Sequence, residues 1–139
     1  MENDKGSVIH LSFSILRLPL IVRCTLKSTE AVLLTNVKWR DSFFCRLRGL
    51  MFRPALSDGE GLLLVEHRES RIDTSIHMFF MAFPIAAIWL DSRYRVVDTC
   101  LARPWRPFYA PRTPAKYTLE ASPNLLTKIS IGDELAFEK

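Results

Sequence analysis

The longest apolar block in the sequence, Ile76–Leu90, carries a proline at position 84. A proline inside a helix removes a backbone donor and clashes with the preceding turn, at a cost of about 3 kcal/mol or more. One continuous helix through this block is therefore excluded. Two shorter pieces remain, a strand around Ser75–Met81 and a second from Ile85 to Leu90. Asp91-Ser92-Arg93 supplies turn residues leading into Tyr94–Leu101, so the second piece and its successor read as a hairpin.

The same reading extends to both ends of the chain. Leu16, Leu18, Leu20, Val22, Cys24 and Leu26 alternate with Arg17, Pro19, Ile21, Arg23, Thr25 and Lys27, the period of a half-buried strand. Leu11, Phe13 and Ile15 alternate in the opposite phase, and the slip at Ile15–Leu16 suggests a bulge or break. Pro19 cannot donate a ladder hydrogen bond, which assigns this strand to a sheet edge. An exposed edge over Leu16–Leu26 would support a homodimer by strand pairing.

Ser28-Thr29-Glu30 reads as a turn and Ala31–Val37 as a second strand. Asp41 suits the cap of a short helix with apolar positions Phe43, Phe44, Leu47, Leu50 and Met51. Asp58-Gly59 marks a turn before Leu62–Val65. Further on, Arg103–Pro114 is a loop holding four prolines, followed by a strand Lys116–Ala121. Ser122-Pro123 opens a second short helix to about Lys128, and Gly132-Asp133 turns into a last strand, Glu134–Glu138. Short strands, frequent turns and one or two short helices predict a mainly β fold, a compact single-domain β sandwich or barrel.

With 139 residues the chain has room for one domain, and no linker divides it. Residues 1–19 read as an N-terminal extension or edge strand, and 20–139 as the domain. Val8–Val22 is too short and carries Arg17, whose burial at a bilayer centre costs about 2.5–3.5 kcal/mol, so no membrane span is read there. A signal peptide is also rejected, since Glu2 and Asp4 oppose Lys5 ahead of the run and no small-residue cleavage site follows. Cys24, Cys45 and Cys100 are odd in number and form no CxxC pair, which argues for free thiols and a reducing, cytoplasmic compartment. No cofactor motif is read. The net charge of +4 favours weak attraction to polyanions and argues against a dedicated nucleic-acid domain.

Several short motifs recur in a familiar order. Arg46-Leu47-Arg48-Gly49-Leu50-Met51 resembles the R-x-x-G-L-M signature of the domain of unknown function 192 family. Gly61-Leu62-Leu63-Leu64, Ile76–Ile85 with Pro84, Trp89-Leu90-Asp91, Arg103-Pro104-Trp105-Arg106, Leu119-Glu120 and Gly132-Asp133 follow in register. The resemblance spans roughly residues 20–139 and implies a small, mainly β, sandwich-like fold with no activity to carry over. That family often places an acidic residue after Pro-Ile, where this chain has Ala86.

Four functional readings follow from the residues. The first is a non-enzymatic binding domain for a small anion or an extended peptide, built on the proline loop. There Trp105, Phe108 and Tyr109 offer rigid contact area and Arg103 and Arg106 can meet a carboxylate or phosphate, with His77 and Met81 on a neighbouring strand. The second is a hydrolase using His77 as base with Ser75 and Asp73. The third is a Cu(I) site from His77 and Met81, joined by Met51 or Cys45, since imidazole and thioether ligands suit soft metals. The fourth is weak nucleic-acid binding by arginines interleaved with aromatics. None supplies a complete catalytic constellation.

Overall fold

The structure, a computed structural model, describes residues 20–41 and 55–139. Among these residues there are seven strands: β1 (Leu20–Leu26), β2 (Ala31–Asp41), β3 (Glu60–Ser70), β4 (Ile85–Leu90), β5 (Val96–Ala102), β6 (Ala115–Ala121) and β7 (Leu135–Glu138). A 3-10 helix, Pro123–Thr127, follows β6. All seven strands belong to one sheet in the order β5-β4-β6-β3-β2-β1-β7. Every neighbouring pair is antiparallel except β2 and β3, which run parallel with Asn36 opposite Glu60.

The mainly β, single-domain expectation holds. The sheet curls so that its two edges meet, but at one bridge only, Arg95 with Glu134, so it is not a closed barrel. Backbone bonds from Val96 N–H to Asp133 O at 2.8 Å and from Leu135 N–H to Tyr94 O at 2.9 Å hold that seam. Inside the curl, Val22, Cys24, Leu34, Val37, Leu63, Ile88, Leu90, Leu119 and Leu135 form the main core, joined at one end by Leu125 of the 3-10 helix. Each fully buried aliphatic side chain of this kind contributes roughly 1.5–3 kcal/mol before entropy is counted.

Strand β4 explains the unbroken apolar run in the sequence, because it is covered on both faces. Ala86, Ile88 and Leu90 point into the main core, while Ile85, Ala87 and Trp89 point outward. On that outer side they meet Ile76, Met78 and Met81 from residues 71–84, together with Ala102 and Ala115. A second, smaller core therefore lies on the back of the sheet. Trp89 donates its ring N–H to Thr74 O at 2.8 Å, and Thr118 Oγ1 donates to the same carbonyl at 3.2 Å, which pins the covering segment to β4 and β6.

The structure corrects two expectations. First, Ser75–Met81 is not a strand: it makes a single bridge, Ile76 with Tyr109, and then turns away at Phe80, where φ is +61°. Second, β1 is not an edge, since Arg23–Leu26 is flanked by β7 as well as β2. Pro19 lies outside the described residues. The edge strands are β5 and β7, so the Arg23–Leu26 stretch of β1 is not open to a second copy. Asp41 ends β2, and the helix expected to follow it lies outside the described residues. The bulge expected at Ile15–Leu16 and the helix holding Arg46, Gly49, Leu50 and Met51 lie outside the described residues.

The second expected helix is the 3-10 turn, and Ser122 makes no side-chain cap bond to it. The remaining turn residues behave as their chemistry requires. Asp91 Oδ1 accepts from the backbone N–H of Arg93 and Arg95 at 2.8 and 3.0 Å, closing the β4–β5 hairpin. Gly132 adopts φ +99°, and Asp133 Oδ2 accepts from Ser130 N–H at 2.8 Å. Cys24 and Cys100 are free thiols.

Candidate functional site

The proline loop 103–114 and the segment 75–84 are joined along their backbones. Ile76 and Tyr109 exchange N–H···O bonds at 2.8 and 2.9 Å, Met78 N–H donates to Arg106 O at 2.8 Å, and Trp105 N–H donates to Met78 O at 2.8 Å. Ile76, Met78 and Met81 point down into the outer core. The side chains between and beyond them face solvent. Phe79, Phe80, Trp105 and Phe108 are 41–61% exposed, a cluster of large apolar rings on the surface of two adjoining loops.

Phe80 and Trp105 both sit in the left-handed backbone region, at φ +61° and +67°. A bulky residue there costs about 1–3 kcal/mol. Their rings meet edge to face, with centroids 5.1 Å apart. The outward turn at Phe80 also explains why Met81 returns to the core. The Phe79 and His77 rings lie 5.3 Å apart, and His77 Nδ1 accepts from Phe79 N–H at 3.2 Å.

The loop is fixed at several further points. Tyr109 OH accepts from Arg103 N–H at 2.9 Å, folding the loop back on itself. Arg71 Nε donates to Pro111 O at 2.9 Å. Arg112 Nη2 donates to Asp98 Oδ1 at 2.9 Å, and the Arg112 backbone N–H donates to Asp98 Oδ2 at 2.9 Å. Burial opposes the Asp98 charge, but the Arg112 side chain and backbone and the Thr99 N–H together outweigh it, holding the carboxyl below its usual range. Arg112 is thus an anchor. Among the described residues, no ion pair uses Arg103 or Arg106.

Of the six candidate residues, His77, Trp105, Arg106 and Tyr109 lie along the joined loops, and Arg103 stands at their base. Met81 lies beneath them in the core, with 4% of its surface exposed. The Asp73, Ser75 and His77 side chains direct their bonds elsewhere. Ser75 Oγ donates to Ile72 O at 2.6 Å, and Asp73 Oδ2 lies 4.0 Å from Arg68 Nε. Among the described residues no three His, Cys, Asp or Glu side chains gather where they could hold a metal ion. No described helix is long and apolar enough to cross a membrane.

Phe79 and Phe80 join the surface without being singled out by the sequence. Their adjacency in an apolar run reads as core, and only the backbone turn at Phe80 sets the exposed ring against Trp105. Glu120 stands apart from the loops. It sits mid-strand in β6 between Leu62 and Ala87, 8% exposed, and burial pushes its carboxyl up to about 7.

Comparison with known proteins gives one family. The model of DUF192, Uncharacterized ACR, matches residues 24–137. A UPF0127 protein of Thermococcus sibiricus is 44% identical over 105 residues, covering 74% of this chain and 66% of the relative. The chain therefore spans just under two thirds of that relative's length. A UPF0127 protein of Pyrococcus furiosus is 38% identical over 106 residues, covering 75% of this chain and 88% of the relative. Among solved structures, a protein of Sinorhizobium meliloti 1021 aligns with a TM-score of 0.74 at 20% identity, over 86% of this chain and 94% of that one. A protein of unknown function from Novosphingobium aromaticivorans DSM 12444 aligns at 0.70 and 21%, over 85% and 84%. These two likenesses show a shared fold.

Proposed function

We propose that this chain, which belongs to the DUF192 family, is a non-enzymatic binding domain whose joined loops hold an extended, acidic peptide segment. One observation carries the reading: four exposed aromatic rings stand on a backbone fixed by hydrogen bonds, beside two arginines with no ion-pair partner among the described residues. Rigid aromatic anchors and arginine are the side chains that most often dominate protein recognition surfaces. Left-handed backbone at Phe80 and Trp105 supports the same reading, because strain kept at exposed rings trades stability for presentation. A small anion would engage Arg103 and Arg106 but leave the rings unused. A peptide uses both.

The test is selection of twelve-residue peptides from a random display library, followed by fluorescence anisotropy of the enriched sequences. Enrichment in Asp or Glu next to apolar residues is expected. Affinity should fall at least tenfold in Arg103→Ala/Arg106→Ala and in Trp105→Ala, and should weaken with added salt. Enriched peptides that bind both variants as tightly as the parent would overturn the assignment.

A further inference from the structure

Strand β5 ends at Ala102, immediately before Arg103, and is an edge of the sheet. Its start is closed, since Val96 exchanges bonds with Asp133 and Gly132 across the seam. Beyond Val96 its ladder to β4 carries an irregularity, between the pairs Leu90–Val96 and Trp89–Asp98. The Thr99 N–H is bonded by the neighbouring Asp98 carboxylate at 2.9 Å, which places it on the side away from β4. Alternation along a strand then sends the N–H and C=O of Leu101 to that same open side, and the N–H of Arg103 after them. Arg103 N–H is taken by Tyr109 OH. No backbone bond outside the β4–β5 ladder reaches Leu101 among the described residues, and its side chain is 40% exposed.

We infer that the acidic peptide binds as an added strand along β5, pairing its backbone with the open N–H and C=O of Leu101. This rests on the binding reading above and specifies how the segment docks. Strand addition supplies affinity through main-chain bonds, and specificity through alternate side chains. Alternate side chains of the peptide then divide between the two faces of the sheet. One set lies against Leu101 on the inner face, and the other reaches the Trp105–Phe80 pair on the rear, with its carboxylates meeting Arg103 and Arg106. Charge decides between occupants of this edge. A second copy of this chain carries the same net charge of +4 as the first, whereas an acidic segment neutralises Arg103 and Arg106.

The experiment takes the strongest library peptide and methylates its backbone amides one at a time. Methylation removes a main-chain donor and leaves the side chains in place. Loss of more than tenfold in affinity at the one amide that donates to the Leu101 C=O, with little change at its neighbours, is the expected pattern. On the protein side, Leu101→Pro deletes the open donor without removing a bond of the fold, and edge positions accept proline. It should lose binding more than tenfold, while Leu101→Ala loses less. Should Leu101→Pro fail to fold, the methylation scan decides alone. Binding that needs Arg103, Arg106 and Trp105 but tolerates every methyl overturns strand addition and leaves the loop surface standing. Peptides that ignore those three residues remove the loop reading and strand addition together. A dimer in solution that Leu101→Pro dissociates would give the edge to a second copy and overturn the peptide.

Discussion

Replacing Glu120 by Gln isolates the cost of placing one carboxyl in the middle of the sheet. Glu120 pairs with Leu62 on one side and Ala87 on the other, and burial raises its pKa from 4.5 to about 7. In the unfolded chain it ionises near 4.5. Below that pH it is neutral in both states and costs nothing. As pH rises from 4.5 to 7, the unfolded chain gives up the proton while the folded chain keeps it, so the folded state loses stability. Above 7 both states are ionised and the loss is complete. At 1.36 kcal/mol per tenfold difference in proton affinity, the loss amounts to about 3 kcal/mol. Glutamine has nearly the same shape and no charge to desolvate.

The assay is urea unfolding of the parent and Glu120→Gln proteins, followed by tryptophan fluorescence at pH values from 4 to 8.5. The difference curve matters more than either curve, because acid-side changes at Asp98 and Glu134, both held low by their cationic partners, cancel between the two proteins. The variant's advantage should grow by about 3 kcal/mol between pH 4 and pH 8, with the rise centred between 4.5 and 7. A difference that stays constant across that interval would refute the reasoning. It would mean that the folded state solvates or pairs this carboxylate as well as water does.

Two further substitutions probe the framework. Asp98→Asn removes the charged acceptor that holds Arg112, and should cost about 2 kcal/mol at pH 7. Because the Asp98 pKa is lowered on folding, its contribution is present above the ordinary carboxylate range and fades as pH falls below it, so the gap between parent and variant should narrow in acid unfolding experiments. Gly61→Ala would place a methyl 2.9 Å from Leu34 Cδ1 and 3.4 Å from Glu120 O. Overpacking of that kind costs about 1–3 kcal/mol, read as a lower urea midpoint at unchanged slope.

Local chemistry was sufficient where one residue type dictates one conformation. Pro84 separates the irregular segment from β4, Asp91 closes the hairpin, and Gly132 makes the positive-φ turn before β7. Alternation along Val22 and Cys24 correctly marks their inward face. The segment Ser75–Met81 misleads because Ile76 and Met78 do alternate with His77 and Phe79, yet their partner is a loop. Phe80 then shifts the phase by adopting a conformation that its side chain does not favour. Nothing in the residues themselves forecasts that. The loop's arginines and tryptophan were legible from composition, whereas the two phenylalanines that complete the surface were not. Glu120 was legible only as part of the Leu119-Glu120 motif, and its burial depends on what the chain lays over the back of the sheet.

The two-sided burial of β4 has a consequence for how such a domain can diversify. Its inner side chains Ala86, Ile88 and Leu90 serve the curl, while Ile85, Ala87 and Trp89 serve the layer behind it. The exposed rings hang from that rear layer and take no part in the main core. Changes at Phe79, Phe80, Trp105 and Phe108 should therefore combine additively with changes in β1, β2 or β7, as independent sites do. The surface can be rewritten one ring at a time while the curl keeps its own sequence. The sheet, with β4 at its most deeply buried, separates the layer that carries the rings from the layer that holds the curl.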